Sequence, residues 1–146
     1  MAKQARYSGD KLVLFAAAKS VTESKHKLAK SDEVALGMQT EGRWYTPEGL
    51  VVAREGGSEK KGAGYDSPYP DGAINLTLVV RLLAEGPNWI VYVEPSMVKY
   101  YAGRPNPEKL DPKDPSVPGW ATGQVDVLQF EIYKACLLYT SDAADE

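Results

Sequence analysis

Residues 73–85 read AINLTLVVRLLAE and residues 89–101 read WIVYVEPSMVKYY, with Gly86, Pro87 and Asn88 between them. In the first stretch Ile74, Leu76, Leu78, Val80 and Leu82 recur at every second position. A period of two places them on one face of a strand. The opposite face carries Asn75, Thr77, Val79, Arg81 and Leu83, so it is expected to be partly covered. Gly-Pro-Asn is turn chemistry, which makes the second run the antiparallel return of the first. Pro95 has no N–H to give to a ladder and predicts a bulge or an edge position there.

Working upstream, VALGMQTEGRWY at 34–45 alternates, with Val34, Leu36, Met38, Thr40 and Trp44 on one face. The pattern predicts a half-buried strand. TPEG at 46–49 predicts a turn and LVVAR at 50–54 its return, giving a hairpin over 34–54. A strand is expected to begin at Leu28, with Ser31-Asp32-Glu33 as a turn. Residues 9–24, GDKLVLFAAAKSVTES, predict a first helix with Leu14, Ala17, Ala18 and Val21 as its apolar stripe and Ser8 or Asp10 as N-cap. Downstream, GQVDVLQFEIYKA predicts a second helix striped by Val125, Leu128, Ile132 and Ala135. Residues 55–72 hold five Gly and two Pro and predict a long mobile loop; residues 102–123 hold five Pro and predict an extended connection. The order helix, strands, helix gives a fold class of α+β. The expected architecture is a two-layer sandwich, an antiparallel sheet of about four or five strands with an N-terminal and a C-terminal helix on one face. One domain is expected over residues 1–135.

Composition narrows the functions. The 146-residue chain is 43% hydrophobic and 25% charged, with a net charge of −3, which gives no electrostatic basis for binding nucleic acid. No apolar run approaches the ~20 residues of a membrane span, and the start MAKQARYSGDK does not read as a signal peptide. Cys136 and His26 are each the only residue of their kind, which argues against disulfides and Cys/His metal sites.

Motif-like stretches mostly fail on chemistry. GSEKKGAG at 57–64 matches the first six places of a P-loop, but Ala63 and Gly64 stand where Lys and Ser or Thr are needed. Gly62-Ala63-Gly64 has Ser67 at the third glycine of a dinucleotide fingerprint. Asn75-Leu76-Thr77 spells a glycosylation sequon in the middle of a strand. His26, between Lys25 and Lys27, is expected to be a solvated residue at a helix-to-strand junction. Asp111 and Asp114 in LDPKDP read as turn starters, though two carboxylates at that spacing also suit calcium or acid–base work. Tyr65, Tyr69, Tyr100, Tyr101 and Trp120 are the candidates for an aromatic interaction surface, although aromatics beside prolines more often pin a loop onto a sheet. No catalytic residue, cofactor or metal is assigned.

The last eleven residues, CLLYTSDAADE at 136–146, do not continue the helix pattern with any cap. Composition alone reads them as a frayed acidic tail. They also resemble, residue for residue, the translation of a transposon-end adaptor used in sequencing libraries, which implies a non-native tail on a C-terminally truncated domain. Without the tail's Asp142, Asp145 and Glu146, Asp+Glu falls from 20 to 17 against 17 Lys+Arg, and the net charge becomes 0.

Over roughly residues 9–101, a helix is followed by a strand with Thr40 and Trp44 near its end. This resembles small domains of bacterial cell-envelope lipoproteins of the outer-membrane-assembly helix-grip type. The resemblance implies partner binding through the sheet or a loop, without an active site. Two functions follow as expectations. One is a non-catalytic interaction or assembly domain with a protein partner. The other is a small-ligand-binding or hydrolytic domain with a site under the 55–72 and 102–122 loops, using Asp66, Asp71, Asp111 or Asp114.

Overall fold

In the computed structural model the described residues are 6–52 and 70–145, with side chains along the last helix described to Leu137. Helix α1 (Lys11–Lys25) leads into strands β1 (Leu28–Asp32), β2 (Gly37–Thr40), β3 (Arg43–Tyr45), β4 (Ile74–Glu85), β5 (Asn88–Lys99) and β6 (Glu108–Leu110), and helix α2 (Gly119–Asp145) closes the chain. The strands form one antiparallel sheet in the order β1-β2-β4-β5-β6, with β3 also alongside β4. Both helices cover one face, so the α+β arrangement expected from the alternation is the one observed. The sheet has six strands.

The spine is the β4–β5 hairpin, whose register runs without a shift from Ile74↔Lys99 to Glu85↔Asn88. Ile74, Leu76, Leu78, Val80 and Leu82 are all buried, as are Val91, Val93 and Met97 beside them. Against them pack Leu14, Phe15, Ala17 and Ala18 of α1 and Ala121, Val125, Leu128 and Ile132 of α2. Each buried Leu, Ile, Val, Met or Phe among them stabilises the fold by about 1.5–3 kcal/mol. Asp10 caps α1 by accepting from the Leu12 N–H at 2.8 Å.

Three expectations change. The predicted strand over 34–45 is two strands. Met38 stands opposite Val80, and an uninterrupted register would set Trp44 opposite Ile74; instead Tyr45 takes that place and Trp44 faces Asn75. One extra residue has entered at Glu41-Gly42, and a one-residue slip reverses every side chain beyond it. Tyr45 is therefore buried and Trp44 only half-buried. Gly42 permits the break, because a Cβ there would collide with the Asn75 carboxamide oxygen. Where the ladder is interrupted, Thr40 Oγ1 accepts from the Leu78 N–H at 2.9 Å.

The hairpin predicted over 34–54 also differs. β2 folds back on β1, through a turn in which Asp32 Oδ1 accepts from the N–H groups of Val34 and Ala35. Val51 makes only an isolated bridge to Tyr45, and residues 53 and 54 fall outside the described set. Third, α2 begins at Gly119, four residues ahead of the predicted stretch. It continues past Ala135, and Cys136 is fully buried in the core. The loop expected at 55–72 lies, except for Pro70, Asp71 and Gly72, outside the described residues.

Candidate functional site

The two sides of the sheet end differently. Along β5 the residues at 89, 91, 93, 95, 97 and 99 turn their backbone groups away from β4. Tyr7 exchanges two hydrogen bonds with Trp89, at 2.9 and 2.8 Å. Gln129 projects from α2 so that its Nε2 donates to the Val91 carbonyl at 2.6 Å and its Oε1 accepts from the Val93 N–H at 3.2 Å. The carboxamide thus stands where a neighbouring strand's peptide would. Pro95 has no N–H, and Met97, Val98 and Lys99 pair with β6. Pro95 therefore occupies an edge position without a bulge.

The outer edge of β1 carries no pairing strand among the described residues. From Ala29 to Asp32 the strand is exposed. Its turn presents Val34 at 95% exposure, while Leu36 holds a left-handed backbone (φ 59°) with its side chain buried. Such a conformation costs a non-glycine residue about 1–2 kcal/mol. A shallow groove runs beside this hairpin, lined by Lys30, Val34, Gln39, Val79 and Arg81 among others. It opens onto the helix-free face of the sheet, where Arg81, Leu83, Tyr92 and Glu94 are exposed; Ile90 is the buried exception. Arg81 and Glu94 are ion-paired across that face at 2.9 Å.

A second feature lies at the strand break. A cavity of about 90 Å³ is lined by His26, Lys27, Thr40, Glu41, Arg43, Tyr45 and Gln124, with Leu76 and Leu78 at its base. His26 ends α1: its N–H donates to the Thr22 carbonyl at 2.8 Å, and its extended backbone turns the chain toward β1. The ring is half-buried rather than fully solvated as expected. Burial, with Arg43 and Lys25 nearby, holds its pKa below the ordinary histidine value. A wider groove opens beside the cavity, sharing His26, Arg43, Tyr45 and Gln124 and adding Val51, Trp120 and Val127.

The residues singled out in the sequence that are described each have partners of their own. Tyr65, Tyr69 and Asp66 lie outside the described residues. The Trp120 ring meets Tyr45 at 4.9 Å, and its indole N–H donates to the Pro47 carbonyl at 2.9 Å. Tyr101 is instead approached by Lys99 and Arg104, while Tyr100 exchanges backbone hydrogen bonds with Gly72 and Ala73. Asp111 accepts from the Lys113 N–H and Asp114 from the Ser116 N–H, each serving a local turn, while Asp71 accepts from the Ala102 N–H and ties two loops together. Hydrogen bonds from Ser116 hold the Asp114 carboxyl below the usual range. Among the described residues no three His, Cys, Asp or Glu side chains come together as a metal site, and no helix is long and apolar enough to cross a membrane.

Gln129 and the His26 cavity were missed. Gln129 lies beside Leu128 in the apolar stripe of α2, and a polar residue in a buried stripe signals a fixed hydrogen-bond partner. No protein-family model matches the chain, and no curated protein matches it.

Proposed function

We propose that the chain is a non-catalytic interaction or assembly domain of a bacterial protein that adds an extended partner segment to the outer edge of β1. The supporting observation is the contrast between edges: β5 is terminated residue by residue, while β1, among the described residues, is not. Unpaired strand edges offer a ready row of donors and acceptors to an incoming strand. Val34 at the hairpin tip and the groove toward Val79 supply apolar contact next to that edge. The resemblance to envelope lipoprotein domains supports the same kind of role and a cell-envelope setting. The hydrolytic reading is the weaker one, because Asp111 and Asp114 each serve their own turn and Asp71 is engaged by the backbone at Ala102.

The test is peptide selection on the intact chain followed by amide hydrogen exchange. Bound peptides should slow exchange across residues 28–32, and Ser31→Pro should abolish that binding. Ser31 stands opposite Met38, whose backbone groups face β4, so the Ser31 groups face outward and proline there leaves the pairing with β2 in place. Peptides that bind Ser31→Pro unchanged, or that protect only other segments, defeat the proposal.

A further inference from the structure

We infer that the cavity at the strand break, together with the groove beside it, binds a small organic carboxylate carrying a flat apolar body. This site is separate from the β1 edge and does not depend on the interaction reading. The argument rests on unused charge beside a shaped hollow. Arg6, Arg81, Arg104 and Lys134 each have a carboxylate partner. Lys25, Lys27 and Arg43, which line the cavity or its groove, are in no ion pair among the described residues. Among the described residues Glu41 is the one carboxylate in the lining, so these walls carry an excess of positive charge.

The hydrogen-bonding groups are of the matching kind. Gln124 Oε1 is occupied by the Tyr45 hydroxyl at 3.4 Å, which leaves the carboxamide nitrogen as a donor. Thr40 Oγ1 is occupied by the Leu78 N–H, so its own hydroxyl proton is available. Arg43 adds a planar fork suited to a carboxylate. The hollow is about 90 Å³, enough for a carboxylate head but not for a large ligand. The ligand's body would then lie in the groove, where Trp120, Val51 and Val127 form apolar walls. Trp120 is held there by Tyr45 and Pro47, and Gly49 lies so close to its ring that a Cβ would meet it at 2.7 Å.

His26 provides the readout, because it is the only histidine and its imidazole proton signals need no assignment. The probe is benzoate, with acetate as the body-less control and benzylamine as the charge-reversed one. Benzoate should shift the His26 signals saturably with a Kd of about 1 mM or lower. It should also raise the His26 titration midpoint, since a nearby anion favours the imidazolium. Arg43→Gln should weaken benzoate roughly tenfold. Val127→Ser, an exposed neutral change at the groove, should weaken benzoate but leave acetate unaffected. A shift that stays linear in benzoate, an equal response to benzylamine, or unchanged binding in Arg43→Gln overturns the assignment. Retention of the wild-type melting temperature shows that either variant is folded.

Discussion

The outer edges of β5 and β1 end the same sheet by opposite means. Beside β5, Tyr7, the Gln129 carboxamide, Pro95 and β6 each deal with one or two backbone positions. Beside β1 there is no such device among the described residues, and the strand carries Lys30 and Asp32 on an exposed surface. Charged side chains discourage unspecific pairing without blocking it. The difference teaches that the molecule closes an edge where helix α2 can reach it and leaves open the edge that neither helix terminates. The sharpest way to break that comparison is to remove the helix's contribution. Gln129→Leu keeps the volume but leaves the Val91 carbonyl and the Val93 N–H buried without partners. At about 1–3 kcal/mol for each, the loss should be about 2–6 kcal/mol, lowering Tm by roughly 10 °C or more. Thermal unfolding of Gln129→Leu within 1–2 °C of the parent (roughly 0.5 kcal/mol) would show that the carboxamide is not part of the closure.

Next in size is the end of α2. Cys136 packs near the Leu14 carbonyl and adjoins Tyr7, whose ring lies 6.4 Å from that of Tyr133. The closed edge at Trp89 therefore leans on residues at the end of the helix, including one from the adaptor-like segment. The sequence alone predicts that removing 136–146 leaves Tm nearly unchanged. The burial of Cys136 predicts otherwise: a chain ending at Ala135 should lose about 1–2 kcal/mol. A chain ending at Leu137 should lose much less. Equal Tm values for both truncations would return Cys136 to the status of a passenger.

The same corner sets an alkaline limit. Burial pushes the Cys136 thiol from 9.0 up to about 11 and, with Cys136 and Tyr133 nearby, raises the Tyr7 phenol as well. Both groups are neutral when folded and give up protons more readily unfolded. Their contribution is complete below the unfolded values and is lost as pH rises through the folded ones. Tm should hold up to about pH 9 and fall toward about pH 11. Cys136→Ala should reduce the thiol's share of that fall, leaving the phenol's, and an identical pH profile would contradict the burial argument.

How far the sequence carries varies from residue to residue. The alternation in β4 was legible because burial on one face forces a period of two, and the stripes of both helices followed from the same logic. The one-residue insertion at Glu41-Gly42 was not, because Trp44 and Tyr45 are adjacent aromatics and either could occupy the buried phase. Gly42 was the only local sign, and its cause, the approach of Asn75, lies more than thirty residues away. Val34 fits the alternation by letter but belongs to a turn fixed by Asp32. The candidate site was less legible still. Trp120 was legible as an aromatic of interest, but its partners Tyr45 and Pro47 lie more than seventy residues upstream and no local pattern names them. The cavity exists only because the register slips, so no local pattern announces it.

The smallest stability change tests the comparison most directly. Pro95→Thr supplies β5 with a backbone N–H between the positions covered by Gln129 and by β6. Threonine suits a strand, and Pro95 is half-buried and opposite Leu78, so the change in stability should stay within about 0.5 kcal/mol. Its effect should appear in association instead. The added donor lengthens the pairing surface on the closed side, and sedimentation at rising concentration should show more self-association than the parent. Ser31→Pro at β1 should act in the opposite sense, suppressing whatever association the parent shows. If Pro95→Thr sediments as the parent does while Gln129→Leu associates, the helix carboxamide alone closes that edge and the proline is incidental. If neither associates, edge closure is not what separates β5 from β1, and the open edge loses its claim to be the docking strand.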